Sequence, residues 1–121
     1  MASSAGQKAP TEQEVAATFT RRQNELQGLV GKITELEREA EEHSLVIDTL
    51  QDAFKTEPDR KCFRLVGGVL VERTVKDVLP QLENQFEQLK KVLETLTSTY
   101  KQKEADFGEW QRANNVVVRQ R

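Results

Sequence analysis

A seven-residue apolar repeat runs from Val15 to Phe54 without a break. One position of the repeat holds Phe19, Leu26, Ile33, Ala40, Ile47 and Phe54; the other holds Val15, Arg22, Leu29, Leu36, His43 and Leu50. Nearly six heptads of this kind specify a long helix with one narrow seam that must meet another helix. The start is marked by Thr11 followed by Glu14, a capping box just after Pro10. Pro58 forbids continuation, so the spacing predicts a helix over about 11–56.

A second seam follows: Val75, Leu79, Leu82, Phe86, Leu89, Leu93, Leu96, Tyr100, Lys103, Phe107, Trp110, Asn114 and Val117, with steps alternating between four and three. Thr74 and Asp77 offer a second capping box, and the pattern predicts a helix over about 74–118. Pro80 is expected to bend its first turns. Folded back on each other, the seams match layer by layer, from Phe54 with Val75 through His43 with Phe86 to Leu29 with Tyr100. Every facing pair keeps a constant sum of residue numbers, as an antiparallel register requires. Residues 12–54 carry ten acids and four bases, net −6; residues 75–121 carry seven acids and eight bases, net +1. Self-pairing of the acidic helix is opposed, and pairing with its neighbour is not. A plain homodimeric coiled coil is disfavoured on that ground. The layers then decay into Leu26–Lys103, Arg22–Phe107, Phe19–Trp110 and Val15–Asn114, so weak packing and frayed helix ends are expected there.

Between the helices lies "KCFRLVGGVLVERTV", Lys61 to Val75, the one stretch that reads as β-strand. Gly67-Gly68 suits a two-residue turn that needs positive φ. That turn sets Val66 opposite Val69, Leu65 opposite Leu70 and Phe63 opposite Glu72. Both faces of the hairpin carry apolar residues, while the helices already bury their seams against each other. A two-stranded sheet is marginal alone, and open apolar strand edges invite pairing. Phe63, Leu65, Val66, Val69, Leu70 and Val71 are therefore candidate assembly residues, and several such hairpins could close a shared β-barrel. The fold class is mainly α: an antiparallel two-helix coiled coil with a single β-hairpin that joins an intersubunit barrel.

Composition excludes much else. With 121 residues, 36% hydrophobic and 31% charged, the chain has material for one domain of exposed, two-faced helices. The formal charge of −2 gives no general pull toward nucleic acid or anionic membrane. No stretch approaches the roughly 18 apolar residues of a membrane span. MASSAGQKAP lacks the apolar core of a secretory signal, and residues 1–10 read as a disordered tail. One cysteine, Cys62, rules out an internal disulfide and fits a reducing compartment, so a cytoplasmic location is expected. No nucleotide loop is present, because Gly67-Gly68 runs into Val-Leu-Val rather than Gly-Lys-Ser/Thr. No catalytic constellation, metal set or cofactor motif stands out, and an enzyme is not expected. His43 reads as a seam residue that fixes register, and Cys62 as a small apolar strand residue, with Lys61 and Arg64 close enough in sequence to activate its thiol. The run "ELEREAEE" is a solvated face that could pair with Lys90 and Lys91.

Helix, hairpin and helix around "EHSLVIDTL…RKCFRLVGGVLVERTVKDVLPQLE" closely resemble the β-class subunits of prefoldin. The resemblance covers about residues 12 to 118, and the block from Glu42 to Glu83 is its specific part. It implies a chaperone subunit in a heterohexamer with two α-class and three further β-class chains, whose hairpins build stacked barrels. It also implies that unfolded clients such as actin and tubulin are held at the arm tips without ATP and handed to the cytosolic chaperonin. The sequence reaches Arg121 without the longer polar tail some members carry, a departure from the family's pattern that leaves a tail-dependent role open. The apolar residues that collect where the seams decay, Val15, Phe19, Phe107, Trp110, Val116, Val117 and Val118, are candidate client contacts. Phe19 and Trp110 read equally well as ordinary seam residues that zip the coil shut. A different class of function, an adaptor subunit of a prefoldin-like assembly that docks folded partners, would use the same hairpin.

Overall fold

The structure, a computed structural model, describes residues 9–117. Four elements follow in order: α1 (Glu12–Thr56), β1 (Lys61–Val66), β2 (Val69–Thr74) and α2 (Val75–Ala113). They gather into two compact units. One joins the described parts of Met1–Gly31 and Ser98–Arg121, and the other is Lys32–Thr97. Residues 1–8 of the expected tail lie outside the described residues.

α1 begins as its capping residues dictate, with one change. The Thr11 hydroxyl accepts the Glu14 amide at 3.1 Å, and the Thr11 carbonyl accepts the Val15 amide at 2.9 Å. Instead of the Glu14 carboxylate reaching back to the Thr11 amide, it receives the Thr11 hydroxyl proton at 3.2 Å. Glu12 and Glu14 in the first turn and Lys55 in the last complement the helix dipole. The helix stops two residues before Pro58, as the proline requires.

The hairpin-to-helix junction has no loop: β2 ends at Thr74 and α2 starts at Val75. The first amides of a helix have no partner within it, yet three here are satisfied. Val75 donates to the Arg60 carbonyl and Lys76 to the Pro58 carbonyl, each at 3.0 Å, while Asp77 donates to the Thr74 hydroxyl at 3.3 Å. The segment leaving α1 thus caps the start of α2. Beneath it Val75 is fully buried (0% exposed), with Val78 and Leu79 also buried. α2 continues through Pro80, whose missing N–H removes a bond to the Lys76 carbonyl; both residues are exposed, where water can serve that carbonyl.

The seams sit where the repeat puts them. In α1 every expected seam residue from Val15 to Leu50 is buried or half-buried, Leu36 and Ile47 most deeply. Phe54 departs from the pattern: it is 43% exposed, and Ala53 turns inward instead. The slip falls at the last turn of the array, so Phe54 does not share the full burial of Val75, its expected partner. In α2 the seam holds from Val75 through Tyr100, Lys103 is exposed, and Phe107, Trp110 and Asn114 return to partial or full burial. α2 ends at Ala113, five residues short of the expected boundary, because Asn115 adopts a left-handed conformation with φ 53°. "ELEREAEE" does not capture Lys90, which pairs with Glu87 one turn back on its own helix at 3.0 Å. His43 is half-buried on the seam, and its Nδ1 donates to the Glu39 carbonyl at 3.0 Å.

β1 and β2 pair antiparallel in the register that the Gly-Gly turn fixes: Val66 with Val69, Leu65 with Leu70, Arg64 with Val71, Phe63 with Glu72, Cys62 with Arg73 and Lys61 with Thr74. Gly67 and Gly68 take φ of 55° and 83°. Gly68→Val forces a β-branched residue into that left-handed position and should cost about 1–2 kcal/mol of hairpin stability. Gly68→Asn should stay close to the parent. Amide hydrogen exchange at Val66 and Val69 checks this, and equal protection in both variants would refute the turn assignment.

Candidate functional site

Alternation along the two strands sorts the hairpin into two unlike faces. Phe63, Leu65, Leu70 and Glu72 share one; Cys62, Arg64, Val66, Val69, Val71 and Arg73 share the other. The first face is bare: Phe63, Leu65 and Leu70 are 64%, 71% and 67% exposed. An ion pair between Lys61 and Glu72, 3.3 Å apart and itself exposed, borders it. The second face is partly covered. Cys62, Arg64 and Val71 are half-buried, and Arg64 Nη1 donates to Gln81 Oε1 on α2 at 3.2 Å. Val66 and Val69, beside the turn, remain exposed. Of the six expected assembly residues, five are therefore open. Val71 is not, because the loop-free junction lays its face against the start of α2. Sequence reasoning treated both faces as unroofed; the pairing of Arg64 with a glutamine seventeen positions on carries no periodic signal.

The expected client residues divide as well. Val15, Phe19, Val116 and Val117 line one open groove of about 780 Å³, together with Ala16, Pro10 and the Asn114–Asn115 turn. Val117 is 86% exposed at its rim. Phe107 and Trp110 do not line it. Phe107 is only 8% exposed, its ring 5.2 Å from that of Phe19 and 6.0 Å from Trp110. Val118 lies outside the described residues.

This part of the coil packs by crossing its layers. Arg22 was expected to oppose Phe107, and Phe19 to oppose Trp110. The aromatic Phe19 packs on Phe107, while the Arg22 guanidinium lies 5.6 Å from the Trp110 ring centre. Both arrangements pair ring with ring and cation with ring, but the observed one gives the guanidinium the indole, the stronger cation–π face. One turn away, Lys103 Nζ meets Glu25 Oε1 at 2.6 Å. The seam lysine is thus drawn outward to a carboxylate. That bond and the lysine's charge hold the Glu25 carboxyl below its ordinary value of 4.5.

Among the described residues no group of three or more His, Cys, Asp or Glu could hold a metal ion, and no helix is long and apolar enough to cross a membrane. The candidate residues among those described thus supply surface, a bare strand face and an open, mainly apolar groove.

Residues 13–121 match the family described as Prefoldin subunit. The chain belongs to the prefoldin subunit family. Prefoldin subunit 2 of Homo sapiens is 50% identical over 114 residues, spanning 94% of this chain and 72% of that protein. The probable prefoldin subunit 2 of Schizosaccharomyces pombe is 41% identical over 113 residues, 92% of this chain and 96% of that one. The crystal structure of the prefoldin beta subunit from Thermococcus strain KS-1 matches with a TM-score of 0.74, covering 95% of this chain and 99% of that chain at 20% identity. The shared fold is the helix–hairpin–helix described above.

Because Glu25 titrates below its unfolded value, its ion pair stabilises the fold above that value, and the contribution disappears as pH falls through the lowered one. An NMR titration should place the Glu25 carboxyl midpoint below 4.5 and return it to about the ordinary carboxylate value in Lys103→Met. The same midpoint with and without the lysine would show that the pair does not form in solution.

Proposed function

We propose that this chain is a β-class subunit of heterohexameric prefoldin. It binds unfolded proteins without ATP and passes them to the cytosolic chaperonin. The observation that carries the reading is the bare apolar face of Phe63, Leu65 and Leu70 on a two-stranded sheet, continued by exposed Val66 and Val69 at the turn. Burial of apolar surface contributes roughly 25 cal/mol per Å², and among the described residues none covers these side chains. Strands from neighbouring subunits, two α-class and three further β-class, complete a barrel over them and remove the open edges. Membership of the prefoldin subunit family supports the assembly.

Clients such as actin and tubulin are held in the groove bordered by Val15, Phe19, Val116 and Val117. Phe107 and Trp110 support that groove from behind through Phe19 rather than touching the client. The contacts are apolar and non-directional, so affinity per site is modest and release needs no nucleotide. The cytoplasm, where chaperonin and these clients meet, is the working compartment.

Replacing Leu65 and Leu70 together with Asp puts two charges on the bare face and leaves both helices intact. Circular dichroism should be unchanged, while sizing and native mass spectrometry with the partner subunits should show no hexamer. A normal hexamer from the double variant would remove the hairpin from the assembly.

A further inference from the structure

We infer that Asn115 is a positioning residue that builds one wall of the client groove through its left-handed backbone. The inference rests on the proposed reading of that groove as a client site. α2 does not simply fray after Ala113. Asn115 donates its amide to the Arg112 carbonyl at 3.3 Å, and Val116 donates to the Gln111 carbonyl at 2.9 Å. This crossed pair of bonds, with Asn115 at φ 53°, is the Schellman arrangement that reverses a chain at a helix end. Asn114 fixes the turn from the other side: its amide and its side-chain Nδ2 both donate to the Trp110 carbonyl, at 3.1 and 2.9 Å.

The reversal has a spatial result. Continued helix would carry Val116 and Val117 along the path of α2. The turn places both on the groove instead, with Val15, Ala16 and Phe19 of α1, and leaves Val116 half-buried. Asparagine tolerates the left-handed region that β-branched residues avoid, so the identity of one residue outside the apolar pattern decides whether the wall exists. The lining is apolar apart from Glu12, Thr20 and the two asparagines. An uncharged, apolar segment of an unfolded chain is the occupant it suits.

The test uses the full chain assembled with its partner subunits and unfolded actin carrying a photo-activatable cross-linker as probe. The yield of actin cross-linked to this chain is the readout. Native mass spectrometry confirms that each variant is incorporated. Asn115→Val should lower the yield roughly tenfold, the penalty of a left-handed β-branched residue, and Asn115→Gly, which keeps the left-handed backbone, should retain most of it. Val116→Ser with Val117→Ser should also lower it. Normal yield with Asn115→Val, or equal losses in the Val and Gly variants, would overturn the positioning role. Normal yield from the double serine variant would instead remove clients from the groove, so the two failures are distinct.

Discussion

The start of α2 is where the rest of the hairpin unit is decided. A helix that follows a strand without a loop has amides that no residue of its own can satisfy. Here Arg60, Pro58 and Thr74 supply the acceptors, so the chain leaving α1 and the end of β2 are tied to one helical turn. Breaking the bond to the Arg60 carbonyl would leave the amide of the fully buried Val75 without a partner, an expensive place for an unpaired donor. The junction therefore fixes how the hairpin faces α2. It lays Cys62, Arg64 and Val71 against the helix and turns Phe63, Leu65 and Leu70 away from it.

That orientation leaves an imbalance that no described residue of the chain corrects. Two strands offer one hydrogen-bonded ladder and two open edges. The apolar side chains on the free face form no layer with any helix, since both helices spend their seams on each other. The covered face is held partly by polar contact, Arg64 to Gln81, which orients the sheet without burying much of it. An isolated hairpin of this kind has little to hold it flat beyond its turn and ladder. On the proposed reading its stability is linked to the strands that cover the free face, and assembly and hairpin folding become a single equilibrium.

Much of this was legible in the sequence because it follows short-range rules. The Gly-Gly turn dictates the strand register to the residue, and the heptad marks the seam of α1 from Val15 to Leu50. What was missed depends on geometry that periodicity does not encode. Phe54 sits on the heptad but lies in the last turn before Pro58, where the seam shifts by one residue to Ala53. Val71 loses its exposure to a junction that the pattern of strand residues says nothing about. The crossed contacts of Phe19, Arg22, Phe107 and Trp110 replace flat layers because side chains of such different shape and charge choose diagonal neighbours. A signal for the early end of α2 did exist: Asn114-Asn115 before a run of valines is a helix-stop pattern, outweighed in the reading by a seam that formally continues to Val117.

The aromatic cluster also alters what a client surface in the terminal unit can be. Large rings left open would bind indiscriminately, this protein's own copies included. Here Phe107 is buried, Trp110 carries the Arg22 guanidinium, and Phe19 alone reaches from the cluster to the groove. The other apolar lining residues are small, Val15, Ala16, Val116 and Val117 among them. Valine and alanine bury modest area each, so on the proposed reading a client gains enough to be held only where several contacts add together, as in an assembly of several arms. Weak single sites and strong combined ones let one surface accept many sequences and still let each go. The buried rings supply the stiffness that keeps such a shallow site in shape.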